Sequence, residues 1–323
     1  MSGREVPRLV ADIGATYARF ALYTGLERHG DVAVLATQEY LSADELIYQA
    51  RLQLSAVELA GMVLAVAGPV TPEGITMTNT PLQFLPPQLC AQFNCPVHVV
   101  NDFFALAHGV GRFQNLARLD DLTPHPGGVA AVIGPGSGLG MATVVPLQQK
   151  LHVLSGEGGH AGLSPGSHLE AELWSNLSMH MPHVSWESVL CGPGLVRLYA
   201  ALCEVWGAAP GYQDARTIAQ QAQDMADPVC HQTLEIFCSL LGQAASNLAL
   251  TVGATGGVYI AGGIVPDMVD FVRASPLRRR FEEAGSMTDY VKRIPLAIVL
   301  DPEPGLLGAA ACLDQLLALD AQV

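Results

Sequence analysis

LVADIGATYARFALYTG, residues 9–25, decides how the chain is read. Residues 9–13 form an apolar run that predicts a buried strand, Asp12 arrives near its end, and β-favouring residues resume at Phe20 to Tyr23. The connection is too short for a helix, so the stretch predicts a hairpin with an acid and a hydroxyl, Asp12 and Thr16, at its tip. A single D-x-G-x-T corner also has an ordinary explanation, in which Gly14 gives the turn backbone freedom and Asp12 caps a few amides. What favours a ligand is that the device occurs twice.

Outward from the hairpin, strands and helices alternate. Residues 31–40 predict a third strand, 42–54 a helix capped by Ser42, 61–68 a continuous apolar strand and 75–79 a short extended piece. A helix begun by proline follows at 86–93, then a buried strand over 96–103 that ends in polar residues. A second cycle opens at 128–147, GVAAVIGPGSGLGMATVVPL, again strand, glycine-rich corner with a hydroxyl (Ser137), strand. A further strand at 150–156, helices from about 168 to 252, strands around 258 and 294–300, and an amphipathic terminal helix at 304–320 complete a sheet-and-helix pattern. Two such hairpins expose backbone amides that approach phosphate oxygens closely, because glycine carries no β-carbon. The expected ligand is a nucleotide in a cleft between two domains.

Composition narrows the partners. The chain has 323 residues, enough for two cores, with 50% apolar and 14% charged residues and a net charge of −14. That balance disfavours a nucleic-acid surface or an anionic membrane. The one dense basic run, Arg278-Arg279-Arg280, is followed by Glu282 and Glu283 at helical spacing and reads as a solvated helix face. No long apolar segment precedes Asp12, so neither signal nor anchor is expected. The uncharged stretch 236–266 exceeds a bilayer-spanning length of about 20 residues, but its Gln, Ser, Asn and Gly residues suit a buried helix, a turn and a strand. Seven scattered cysteines without a C-x-x-C pair suggest reduced thiols in the cytoplasm, and His180 and His183 read as loop residues rather than metal ligands.

The segments VADIGATYARFAL, MTNTPLQF, VVNDFFALAHG, VIGPGSGLG, LSGEGGHAGLSP, VLCGPGLVRLY, LTVGATGGVYIAGGIVP and PGLLGAAA, in that order, resemble the bacterial ATP-dependent glucokinases of the sugar kinase, actin and heat-shock ATPase superfamily. The likeness runs over nearly the whole chain. It implies an α/β, two-domain actin-like ATPase (ribonuclease H-like) fold, with a small domain of residues 1–112 completed by 301–323 and a large domain of 113–300. It also implies ATP-dependent phosphorylation of glucose at the 6-hydroxyl, with Mg²⁺, in a homodimer. The phosphates would lie on Ala11, Asp12, Ile13, Gly14, Ala15 and Thr16 and on Gly134, Gly136, Ser137 and Gly138, with Gly262 and Gly263 near the adenosine. Asp12 would meet the metal through a water, since Mg²⁺ keeps much of its hydration.

Phosphoryl transfer to an alcohol needs a proton acceptor and an aligned oxygen. Asp102, at the end of a buried strand, is the candidate base, and on the residues alone it is equally a helix cap. The resemblance favours the base, and it implies Asn101, Asp102, Glu157, His160 and Glu187 as sugar contacts. Hexose selectivity comes from such buried acceptors, left unpaired by a wrong ligand. For each of the last three a plainer role exists: a surface loop acid for Glu157, a structural histidine for His160, and the acid of a helix's first turn for Glu187.

The chain also departs from the family pattern. Ala15 and Tyr17 replace the second Gly and the Asn of D-[IV]-G-G-T-N-A-R, Leu82 stands where Trp is common, and Gly162 replaces an acid. A methyl at position 15 is expected to crowd the phosphates or to forbid a positive φ. Two further readings therefore stand beside the glucokinase one: a kinase for another hexose or an amino sugar, and a sugar-binding regulator with weakened catalysis.

Overall fold

The computed structural model describes residues 6–77, 80–148 and 150–320. Thr78 and Asn79, the centre of the MTN segment, lie outside the described residues. The chain divides into two compact units, Met1–Gln114 with Asp301–Val323, and Asn115–Leu300.

In the first unit, β1 (Arg8–Ile13), β2 (Tyr17–Thr24) and β3 (Glu27–Ala36) form an antiparallel meander, followed by α1 (Ala43–Gln53) and β4 (Met62–Val66). Ser42 caps α1 by accepting from the Glu45 amide at 3.3 Å. A small sheet of β5 (Val70–Thr71), β6 (Gly74–Thr76) and β7 (Gln83–Phe84) leads to α2 (Pro86–Phe93), β8 (Val97–Asn101) and α3 (Asp102–Ala107). The main sheet has the order β3-β2-β1-β4-β8, with β1, β4 and β8 parallel.

Strand alternation assigns the two faces of β1. Leu9, Ala11 and Ile13 pack with Leu46, Ile47 and Ala50 of α1. Val10 faces the other way, into a cluster with Ala105 of α3 and Leu306, Ala309, Ala310 and Leu313 of the C-terminal helix Pro304–Asp320. That helix comes close to α3, where a β-carbon on Gly308 would overlap the Ala105 carbonyl oxygen.

Two strand ends depart from the sequence reading, for the strand read over 96–103 stops at Asn101, after which α3 begins, and β3 also differs. β3 stops at Ala36 and residues Thr37–Glu39 form a 3-10 turn, where the apolar pattern predicts strand to residue 40. The Thr37 amide still donates to the Thr16 carbonyl at 3.0 Å, one step beyond the last pair Tyr17–Ala36, before the chain turns.

The second unit opens with β9 (Leu116–Arg118) and the hairpin β10 (Ala130–Pro135) and β11 (Leu139–Leu147), extended by β12 (Lys150–Gly156). Four helices follow: α4 (His168–Ser178), α5 (Gly192–Trp206), α6 (Ala215–Gln223) and α7 (Pro228–Val252). Then come β13 (Val258–Ile260), α8 (Val269–Ala274), α9 (Leu277–Glu282), α10 (Thr288–Val291) and β14 (Leu296–Val299). The sheet order is β12-β11-β10-β13-β14-β9, with β10, β13 and β14 parallel. Its apolar face, with Ala131, Ile133 and Ile298, belongs to one core with Leu195, Leu198 and Leu202 of α5 and Phe237 and Leu241 of α7. Among the described residues no helix is long and apolar enough to cross a membrane, and α7 with its left-handed cap at Gly253 accounts for most of the uncharged stretch.

The basic run is not a solvated face. Arg279 is exposed, but Arg278 is bound to Asp120 and Glu282 at 2.8 Å each, and Arg280 reaches the buried Glu170 at 3.5 Å. The helical spacing anticipates the Glu282 contact and those of Arg279 and Arg280 to Glu283, but not Asp120 or Glu170. Asp120 and Glu170 arrive from remote parts of the chain and draw two of the three guanidinium groups inward, where paired charges avoid an unmatched desolvation cost.

Candidate active site

In the first unit, strand register brings the predicted acids to one edge. Ile13 pairs with Val66 and Val66 with Asn101, so the carboxyl ends of β1, β4 and β8 lie level. Two strand spacings separate β1 from β8, about 10 Å. Asp12 and Asp102 therefore emerge at the same edge, the end of a parallel sheet where α/β proteins bind ligands.

Asn101 is the helix cap. Its Oδ1 accepts from the Phe104 amide at 3.0 Å, and its Nδ2 donates to the Gly68 carbonyl at 3.3 Å. Asp102 is the first residue of α3, with Oδ1 accepting from the Phe103 amide at 2.9 Å. Of the two roles left open by the sequence, the cap falls to Asn101.

The hairpin tip is closed by the Gly14 amide donating to the Tyr17 carbonyl at 3.0 Å. Ala11 and Ile13 are fully buried, so their side chains support the tip from the core. Ala15 is absent from the residues of positive φ, as is Gly14. The expected backbone conflict at Ala15 does not arise, because this tip turns without a left-handed residue. Tyr17 is half exposed and Leu82 is wholly buried in the core.

Asp12 lies on the face of β1 that carries the C-terminal helix, whose second residue is Gly305. A β-carbon on Gly305 would overlap the Asp12 carboxylate. Burial pushes the Asp12 carboxyl above the usual carboxylate range, and the nearby Arg19 charge opposes that shift.

The second unit gathers the remaining predicted residues at one edge of its own sheet. Gly134 sits in β10 opposite Gly140, and Gly136–Gly138 turn the hairpin, with the Gly136 amide donating to the Gly138 carbonyl at 2.8 Å. Gly262 follows β13 with φ +90° and sits so close to Pro135 that any β-carbon would overlap its carbonyl oxygen. By contrast, β-carbons at Gly136 and Gly263 would meet open space. Ser137 is exposed at the tip.

Glu157 follows β12, whose last residue pairs with Met141 near the start of β11. His160 Nε2 lies 3.9 Å from Glu157 Oε2 and 3.8 Å from Glu187 Oε1. The Glu187 amide donates to the Gly159 carbonyl at 2.8 Å, which fixes the Glu187 segment beside the 3-10 turn Gly158–His160. Glu187 does not belong to a helix's first turn, since α5 begins only at Gly192 after Cys191. Its Oε2 accepts from the Leu139 amide at 2.7 Å, directly after the glycine turn. His180 and His183 are loop residues, and His183 Nε2 approaches the His160 carbonyl at 2.8 Å.

Sequence reasoning missed Thr37, whose hydroxyl holds the Gly14 carbonyl, and the Leu139 amide that Glu187 binds. Gly305 fell within a quoted segment, but nothing local linked it to Asp12. All three relations join residues distant in the chain.

Each of the two α/β units presents a glycine-bearing hairpin at a sheet edge with carboxylates beside it, the features expected of a phosphotransferase of the actin-like ATPase fold. The glucokinase family model matches residues 9–316. The glucokinase of Chromobacterium violaceum is 38% identical over 315 residues, covering 97% of this chain and 90% of that one. The crystal structure of a glucokinase from an Antarctic psychrotroph has a TM-score of 0.85 at 34% identity, covering 97% of this chain and 100% of that chain. A ROK family glucokinase from Streptomyces griseus, solved in complex with glucose and AMPPNP, shares the fold with a TM-score of 0.64 at 21% identity, over 95% of this chain and 98% of that chain. This chain belongs to the glucokinase family and is a hexose kinase.

Proposed function

We propose that Asp102 is the general base of a glucose 6-kinase reaction. ATP is the phosphoryl donor, as in the family. The observation that carries the base assignment is the level register of β1, β4 and β8, which sets Asp102 and the phosphate corner at one edge. Asp102 accepts the proton of the 6-hydroxyl, and the freed oxygen forms its bond to the γ-phosphorus as the bond to ADP breaks. No covalent enzyme intermediate is required.

Asn101, Glu157, His160 and Glu187 hold the sugar hydroxyls, supported by the close grouping of the last three. The amides of the Gly14–Thr16 and Gly136–Gly138 tips take phosphate oxygens, with Gly262 and Gly263 beside the adenosine. Open space beside Gly136 and Gly263 suits close approach of a ligand to the backbone. Mg²⁺ would be held at Asp12 through a water, since it takes one or two carboxylates while keeping much of its hydration. When bound, the ion neutralises phosphate charge. A cytoplasmic location suits the seven free thiols, and a homodimer is what the family resemblance implies.

The test is coupled detection of ADP across a panel of hexoses and amino sugars, with Asp102→Asn as the blank. Glucose-dependent ADP formation by the native protein alone supports the reading. Preference for another sugar reassigns the substrate, and ADP formation unchanged in the variant removes Asp102 as base.

A further inference from the structure

We propose that Thr37 is a positioning residue for the phosphate corner, one that sets the direction of the Ala15 amide and thereby the affinity for ATP; this rests on the kinase reading above. Thr37 is a polar residue with no exposed surface. It makes two bonds to the hairpin tip across more than twenty residues of chain: its Oγ1 donates to the Gly14 carbonyl at 2.8 Å, and its amide donates to the Thr16 carbonyl at 3.0 Å. A buried hydroxyl requires a partner, and here the partner is a turn rather than its own strand or helix.

The consequence follows from peptide planarity. In a trans peptide the carbonyl and the next amide point in opposite directions. Fixing the Gly14 carbonyl toward Thr37 therefore turns the Ala15 N–H away from it. Among the described residues the Ala15 amide donates to no acceptor. Thr37 thus holds in advance an orientation that an incoming phosphate would otherwise have to impose, and a preorganised donor binds better than one that must be ordered. The tip gains this order without glycine at position 15, which is how Ala15 and a working corner coexist.

The experiment compares Thr37→Val and Thr37→Ser with the native enzyme by initial rates, calorimetric glucose binding and thermal melting. Val keeps the shape and removes the donor, so KM for ATP should rise about three- to tenfold, the worth of one hydrogen bond. KM and Kd for glucose should stay within about twofold of native on the same ground. Ser should restore native KM for ATP. If the valine variant does not fold, Thr37→Ala is read the same way. An unchanged KM for ATP overturns the proposal, as does a parallel rise of both KM values with a lowered Tm. A native protein that makes no ADP with any sugar overturns the kinase reading itself, a result distinct from an active native enzyme whose Thr37 variants match it.

Discussion

Replacing Asp102 by Asn separates chemistry from architecture, and the structure sets the size of each effect. The Oδ1 accepts from the Phe103 amide at 2.9 Å, and the Oδ1 of Asn accepts the same bond. The charge lost at the first position of α3 is worth about 0.3–1 kcal/mol. The cap itself stays with Asn101. Tm should therefore fall by no more than about 2–4 °C. An amide cannot take the hydroxyl proton, and loss of a general base costs about 10²–10⁴ in rate, which is about 2.7–5.5 kcal/mol of barrier. Steady-state kinetics with glucose and ATP, calorimetry with glucose and a melting curve give all three quantities. A kcat within about tenfold of native, below the range for a lost base, refutes the assignment. So does a collapse of Tm together with glucose affinity, which would make the acid structural.

Asp12→Asn should raise Tm at neutral pH while abolishing Mg²⁺-dependent turnover. Burial raises the folded-state pKa of Asp12 above its unfolded value, so its ionisation costs stability above the folded pKa, and the cost disappears as pH falls below the unfolded pKa. The variant's advantage should shrink accordingly as pH falls toward the ordinary carboxylate value of about 4 in melting curves; a destabilised variant at neutral pH would mean that the positive end of the C-terminal helix outweighs desolvation. Glu187→Ala removes the acceptor for the Leu139 amide, a charge-assisted bond worth about 1.5–3 kcal/mol, so KM for ATP should rise along with KM for glucose in initial-rate assays. Gly308→Ala gains about 1 kcal/mol in helix propensity but drives a β-carbon into the Ala105 carbonyl, also placing it 2.7 Å from the Leu106 Cα. Overpacking against backbone costs about 1–3 kcal/mol, and denaturant melts should show a net loss.

Much of the site was legible because its parts are local. The D-x-G-x-T corner, the second glycine turn and the polar end of β8 are each short patterns in which strand alternation and turn chemistry act over neighbouring residues. The Ser42 cap and the proline start of α2 were readable for the same reason. What failed depended on remote partners: the Thr37 hydroxyl turns to the Gly14 carbonyl at the tip, and Arg278 and Arg280 turn inward to Asp120 and Glu170. The positive φ expected to conflict with Ala15 does not occur, because the tip turns without a left-handed residue.

By itself, then, the order of residues determined the α/β alternation, the two hairpins and the acids at their strand ends, since periodicity and turn preference act within a few positions. Tertiary structure alone decided that Glu187 binds the amide after the second turn, that Gly305 makes room for the Asp12 carboxylate, and that Asn101 rather than Asp102 caps α3. Those contacts depend on where strand register and helix packing bring distant segments, a choice made by burial of the whole core rather than by any local preference.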